Sequence, residues 1–193
     1  RLLAERPAGR KTVVVSSGTC GQASGSPGII DAFRRELDRR GLGDEVELRI
    51  SGCHGFCELE PNVVIYPGEI FYKNLRPEDV PEIVDRTLIE GRVVSSLVYQ
   101  DGAAAGRAEV LTDIPFYRKQ LRLLTENNPR LDPARIEDYI LIGGYQALAR
   151  VLFDMTSEEV IAEIAASGFR GRGRAGFPTG RKWQLCREAA ADR

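Results

Sequence analysis

Two groups of residues in this sequence carry chemistry beyond packing. The first is a set of thiols: Cys20 stands alone, and Cys53-His54-Gly55-Phe56-Cys57 holds two more. Thiolates are soft ligands, and an iron–sulfur centre needs four such groups converging for each [2Fe–2S] unit. The three-residue gap between Cys53 and Cys57 excludes a C-x-x-C dithiol. His54 is the only histidine, which excludes a centre carrying two histidines on one iron.

The second group is Gly168-Phe169-Arg170-Gly171-Arg172-Gly173-Arg174-Ala175-Gly176-Phe177-Pro178-Thr179-Gly180-Arg181-Lys182-Trp183. Glycines let backbone N–H groups approach an anion closely. Six basic residues and no acidic one lie between Arg170 and Arg187, so a phosphate would meet favourable charge. Thr179-Gly180 leads into a helix whose positive end would face the same ligand. Gly171, Gly173 and Gly176 satisfy the G-x-G-x-x-G spacing, but a dinucleotide-binding turn of that kind follows a strand, and the segment before this one reads as a capped helix. No Gly-Lys-Ser/Thr follows at the Walker offset. A flexible basic loop and an Arg-Gly RNA-binding tail are the other readings of these residue types.

The elements that must position these groups follow from periodicity. Thr12-Val13-Val14-Val15 reads as a buried strand, followed by a Gly/Ser/Thr-rich loop through Gly25. Ser26-Pro27 opens a helix carrying Ile30, Phe33 and Leu37, and Gly41 ends it. Val46, Leu48 and Ile50 alternate as a second strand before the loop from Ser51 to Pro61. Val63–Ile65 and Ile70–Tyr72 flank Pro67-Gly68 as a hairpin, and Pro77 opens a helix that ends at Gly91. Residues 12–90 thus form one α/β layer, with both cysteine loops at the ends of neighbouring strands.

Residues 92–131 read as a linker. A helical region then starts at Asp132-Pro133, with Ile136, Tyr139, Ile140, Leu148 and Leu152 on its apolar face and a break at Gly143-Gly144. Thr156 and Glu159 have capping-box spacing, and Gly168 ends the helix they begin. Trp183 and Met155 read as core, and Cys186 as a packed helix residue. The expected division is 1–91, a linker at 92–131, and the start of a second domain at 132–193.

The chain has 193 residues, 42% hydrophobic and 28% charged, with net charge −1. These values exclude wholesale disorder and a disulfide-stapled secreted fold, and remove the global electrostatic case for nucleic acid or an acidic membrane as partner. No apolar run approaches the roughly 20 residues of a membrane span. The chain opens Arg1-Leu2-Leu3-Ala4 without an export segment and closes inside a helical run. The expectation is a piece of a longer cytoplasmic subunit.

The segment from Gly168 to Trp183, with its upstream flank from about residue 110, closely resembles the flavin loop of the NADH-oxidising subunit of respiratory complex I. It resembles equally the flavin subunits of NAD-dependent formate dehydrogenases and soluble hydrogenases. The resemblance implies that Gly171, Arg172 and Gly173 wrap FMN, that Lys182 approaches the flavin, and that Phe177 stacks on NAD(H). Arg174 departs from the family's glycine. It also implies a [4Fe–4S] centre in a C-terminal part that these residues do not include.

Residues 12–90 resemble the thioredoxin-like [2Fe–2S] ferredoxin domain that stands beside, or is fused ahead of, that flavin subunit. The implied metal ligands are Cys20, Cys53 and Cys57. Fused relatives often read C-x-G-T-G-C-x-A-S-G, which places the first ligand position on Ser16 and the second on Gly21, with Cys20 one residue early. Either a serine oxygen from Ser16 or Ser17 completes the site, or the cluster is lost and the fold is kept for docking; three buried, metal-free cysteines are the plainest reading.

The expected fold is therefore α/β: a thioredoxin-like ferredoxin domain, then the N-terminal part of an FMN/NADH-binding α/β domain. The expected function is hydride transfer from NADH to FMN and release of single electrons through iron–sulfur centres to partner subunits of a redox complex. The alternative is an electron-transfer or docking module, with or without a cluster, that does not itself oxidise NADH.

Overall fold

The computed structural model describes residues 10–101, 106–171 and 175–189. They divide into two compact units, residues 1–142 and 143–193.

In the first unit β1 (Lys11–Ser16) is followed by a short helix α1 (Thr19–Ala23) and by α2 (Ser26–Arg40). Strand β2 (Val46–Ser51), a 3-10 turn at Cys57–Leu59, and the hairpin β3 (Val63–Tyr66) and β4 (Ile70–Tyr72) come next. The sheet order is β2-β1-β3-β4. The β1–β2 pair is parallel, with Val13 opposite Leu48 and Val15 opposite Ile50, while β3 runs antiparallel to both β1 and β4. A parallel pair needs a crossover, and α2 supplies it.

Alternation along the strands assigns each apolar side chain to a face. Val13, Val15, Val63 and Ile65 pack with Phe33 and Leu37 of α2 and with Val80, Ile83 and Val84. The last three belong to a helical stretch that begins as a 3-10 turn at Pro77, becomes α3 (Val80–Ile83) and widens into π-type turns over Val84–Ile89. It stops at Gly91, whose φ of 71° is the left-handed conformation that glycine supplies at a helix end.

Val64 and Phe71 point to the opposite face, and residues from the expected linker cover them. Ala108, Leu111, Ile114 and Tyr117 complete a second core there. The segment is held along β4 by backbone bonds from Phe71 N–H to Glu109 O (2.8 Å) and from Lys73 N–H to Leu97 O (3.0 Å). It contains the hairpin β5 (Tyr99–Asp101) and β6 (Gly106–Ala108) and the short helix α4 (Pro115–Arg118). A sheet covered on both faces explains why Val13, Val14 and Val15 form an unbroken apolar run. The unit ends with α5 (Ile136–Leu141), on which Ile136, Tyr139 and Ile140 are exposed.

The expected Gly/Ser/Thr-rich loop contains a helix instead. Helix α1 lies so close to β1 that a Cβ on Gly21 would come within 2.7 Å of the Ser16 carbonyl oxygen. Local composition does not report that approach. Helix α2 opens at Ser26 as expected, and Gly25 at φ 101° occupies its N-cap.

The second unit comprises α6 (Gln146–Asp154), α7 (Ser157–Ala166) and α8 (Thr179–Glu188). Gly143 and Tyr145 both have positive φ ahead of α6, the break expected at Gly143-Gly144. The capping box forms as expected: Glu159 N–H donates to Thr156 Oγ1 (3.3 Å), and Thr156 N–H donates to Glu159 Oε2 (2.7 Å). Thr156→Ala should cost about 1 kcal/mol of stability in denaturant unfolding followed by helical circular dichroism. Thr156→Ser should cost much less, and equal losses in the two variants would refute the cap. Gly168 ends α7 at φ 64°. Trp183 is exposed, contrary to the core role expected of it, and Leu148 and Leu152 of the apolar face are exposed as well.

Candidate functional site

Because β1 and β2 are parallel, the loops that follow them leave the same end of the sheet. They touch there: a Cβ on Gly18 would lie 2.9 Å from Cys53 Cβ. The Asn128 side chain braces the second loop by donating to Cys53 O (2.8 Å). Cys53 Sγ accepts the Gly55 N–H at 3.2 Å. All three thiols are free, with Cys20 and Cys57 exposed and Cys53 partly buried, which corrects the expectation that these cysteines are buried. They are brought together. The Cys57 thiol is pushed up to about 11, first by hydrogen bonding with the Cys20 thiol, then by burial and by the Cys53 thiol.

Beneath the thiols lies a buried polar network. Ser16 Oγ donates to Glu60 Oε1 at 2.5 Å, and Asn62 N–H donates to Glu60 Oε2 at 3.2 Å. His54 is fully buried, with Nε2 2.7 Å from Ser51 Oγ and Nδ1 3.1 Å from Asn62 Oδ1. Burial lowers the His54 pKa to about 4, so at neutral pH the ring is uncharged and braces the loop. Burial pushes the Glu60 carboxyl up, against the opposing hydrogen bonds from Ser16 and Asn62. The sequence reading gave Glu60 and Asn62 no role, since only the fold places them under the thiols.

In the second unit the glycine segment is a loop with a closed neck. Gly171 N–H donates to Phe177 O (2.9 Å), Thr179 N–H donates to Phe169 O (2.9 Å), and Arg170 bridges to Pro178. The neck delivers the chain directly into the first turn of α8. Arg172, Gly173 and Arg174 lie outside the described residues. Phe177 and Lys182 come together with Leu185, Cys186 and Ala189 around an open recess of about 470 Å³. Cys186 is exposed there rather than packed within the helix.

The model of the thioredoxin-like [2Fe-2S] ferredoxin family matches residues 1–88. A 2Fe-2S ferredoxin of Clostridium pasteurianum is 42% identical over 69 residues, 36% of this chain and 68% of its own length. The chain belongs to this family. It is also 51% identical over 75 residues, 39% of its length, to the NADP-reducing hydrogenase subunit HndC of Solidesulfovibrio fructosivorans, and covers 15% of that protein. Similarity to the NAD-reducing hydrogenase HoxS subunit alpha of Cupriavidus necator runs along 97% of this chain at 26% identity and covers 29% of that subunit. The chain thus spans a minor part of both hydrogenase subunits.

The donor set of this ferredoxin domain does not match a [2Fe–2S] centre. Such a centre takes four ligands, and only three thiols meet here. Ser16 is fully buried and committed to Glu60, while Ser17 Oγ pairs with Ser26 Oγ at 2.9 Å, so neither expected serine oxygen is free to ligate. Among the described residues no group of three or more His, Cys, Asp or Glu side chains is arranged to hold a metal ion. Among the same residues no helix is long and apolar enough to cross a membrane.

Proposed function

We propose that residues 143–193 begin an FMN- and NADH-binding domain, and that the chain is the N-terminal portion of an NADH-dependent oxidoreductase subunit working inside a multi-subunit redox complex. The observation that supports this most directly is the closed neck at Gly171, Phe177 and Thr179, which sets a glycine loop against the start of α8 with Phe177 and Lys182 on one recess. The residues suit the cofactor chemically. Glycines expose N–H groups to phosphate, Lys182 offers a positive charge to a reduced, anionic isoalloxazine, and Phe177 offers a face for stacking.

Bound FMN supplies the ability to accept a hydride and release electrons one at a time. The chain's own part is binding and orientation. Gly171 and, by the resemblance, Arg172 and Gly173 hold the phosphate side. Lys182 holds the ring's electron-rich edge, and Phe177 sets the plane of the nicotinamide dinucleotide. Names of the relatives support the wider setting, since both HndC and the HoxS subunit are parts of hydrogenases that reduce NADP or NAD. A [4Fe–4S] centre, a cytoplasmic location and iron–sulfur partner subunits belong to this same proposal.

The test uses the full-length subunit loaded with FMN. Lys182→Ala should weaken FMN retention about tenfold, a loss of about 1.4 kcal/mol, and lower NADH-dependent dye reduction in step; Lys182→Arg should retain most of both. An alanine variant that keeps its flavin and its rate would remove Lys182 from the site. No NADH-dependent reduction by the FMN-loaded wild-type subunit would remove the proposal and favour the electron-transfer or docking reading.

A further inference from the structure

Where the two cysteine loops leave the sheet, a closed set of hydrogen bonds ties β1, β2 and β3 together. Ser16 ends β1; its Oγ donates to Glu60 Oε1 at 2.5 Å, and its N–H donates to Asn62 O at 3.1 Å. Asn62 N–H donates in turn to Glu60 Oε2 at 3.2 Å. Ser51 ends β2, with its Oγ 2.7 Å from His54 Nε2, and His54 Nδ1 lies 3.1 Å from Asn62 Oδ1. Asn62 directly precedes Val63, the first residue of β3. Ser16, Ser51, His54 and Asn62 are fully buried, and Glu60 is nearly so.

We infer that this network stands in the place of a cluster: the domain holds its fold without metal and takes up no [2Fe–2S] centre. Such a centre needs four converging ligands, so three thiols leave one position to be filled by another donor. The oxygens and nitrogens of the two loops are engaged within the protein. Ligation by Ser16 would break its bond to Glu60, and ligation by Ser17 its bond to Ser26 at 2.9 Å. Asn62 Oδ1 can only accept, so His54 Nδ1 carries the proton and Nε2 accepts from the Ser51 hydroxyl. Neither ring nitrogen is left for iron.

The backbone closes the remaining route. A Cβ on Gly21 would come within 2.7 Å of the Ser16 carbonyl oxygen and 3.3 Å of Glu60 Oε2, so the position after Cys20 accepts no side chain and supplies no ligand. The Glu60 carboxyl fills the inner side of α1 there. A fold that metal binding holds together loosens when the metal is withdrawn. A tie among buried groups that satisfy one another is indifferent to chelation, and its weak point is the loss of any one member. Without the Glu60 carboxyl, the Ser16 hydroxyl and the Asn62 N–H are left buried and unpaired.

The 193-residue chain and the Clostridium pasteurianum 2Fe-2S ferredoxin are taken through the same anaerobic treatment with iron and sulfide, then desalted and reduced. The chain should keep only trace iron and show no S = ½ signal, against about two irons and two sulfides on the ferredoxin. Urea unfolding of the chain, followed by its sheet signal, should have the same midpoint with and without a strong iron chelator. Glu60→Ala should lower that midpoint by about 1 M in both conditions, and Glu60→Gln, which retains one acceptor oxygen, should fall between. About two irons and two sulfides per chain with an S = ½ signal would overturn the inference. So would a midpoint that drops on chelation, or Glu60 variants as stable as the wild type. Neither arm depends on the flavin proposal, which stands or falls on the second unit.

Discussion

Gly180→Ala should destabilise the second unit by about 2–3 kcal/mol. The sign is what makes the result informative. Alanine exceeds glycine in helix propensity by about 1 kcal/mol, so at an unconstrained position in α8 this substitution would stabilise. Gly180 is buried, however, and a Cβ built on it would lie 2.5 Å from Ala165 Cα and 2.7 Å from Ala165 N. These are backbone atoms of α7, with no rotamer change available to relieve them, so α7 and α8 must move apart. The surface ion pair between Arg187 Nε and Glu158 Oε1, at 2.8 Å, is too exposed to hold the helices together against that strain.

Trp183, the only tryptophan, sits one turn along α8 and reports this unit selectively. Denaturant unfolding followed by its fluorescence should show the loss, while the sheet signal of the first unit should hold. An alanine variant at least as stable as the wild type would mean that the two helices do not approach as described. Because α8 begins at the loop's neck, the same variant of the full-length subunit should also lose flavin.

What the sequence made legible was what neighbours in sequence decide. The run from Val13 to Val15 is apolar because the strand is buried on both faces, and it forms where expected. Gly41, Gly91 and Gly168 stop their helices at positive φ, and Thr156 with Glu159 caps α7. Each of these follows from a few adjacent residues and the backbone's own requirements.

Harder to see were arrangements that distant segments decide together. The expected linker covers the Val64–Phe71 face, and its apolar residues at Ala108, Leu111, Ile114 and Tyr117 are spread over a strand, a 3-10 turn and a short helix, so no single element's period reveals the face they share. Cys20 could be placed on a loop but not turned outward, since its direction depends on α1 packing Gly21 against Ser16. The glycine segment shows the same division. Its bounding helices were legible, whereas the backbone bonds that close its neck and the recess shared by Phe177 and Lys182 exist only in the fold.

His54 offers the clearest test of that buried architecture. Its folded pKa of about 4 lies below the ordinary 6.5, because burial opposes charge, with Arg122 adding to the shift and the Asn62 hydrogen bond partly opposing it. A base held neutral in the fold contributes its full stability above the unfolded value of 6.5. That contribution is lost progressively as pH falls toward about 4, because the unfolded chain then binds a proton that the folded chain refuses. Between pH 7 and 4.5 the loss should be about 2–3 kcal/mol. Glu60 acts with the opposite sign, since its raised pKa lets the folded state take up a proton more readily as pH falls.

The comparison is therefore made as a difference between the wild type and His54→Gln, in which Glu60 is common to both. Gln keeps hydrogen-bonding capacity toward Ser51 and Asn62 but does not titrate. Urea unfolding followed by the sheet signal should show the wild type's advantage at pH 7 shrinking by that amount at pH 4.5. A constant difference across this range would show that His54 is not held neutral, and the buried network under the thiols would have to be redrawn.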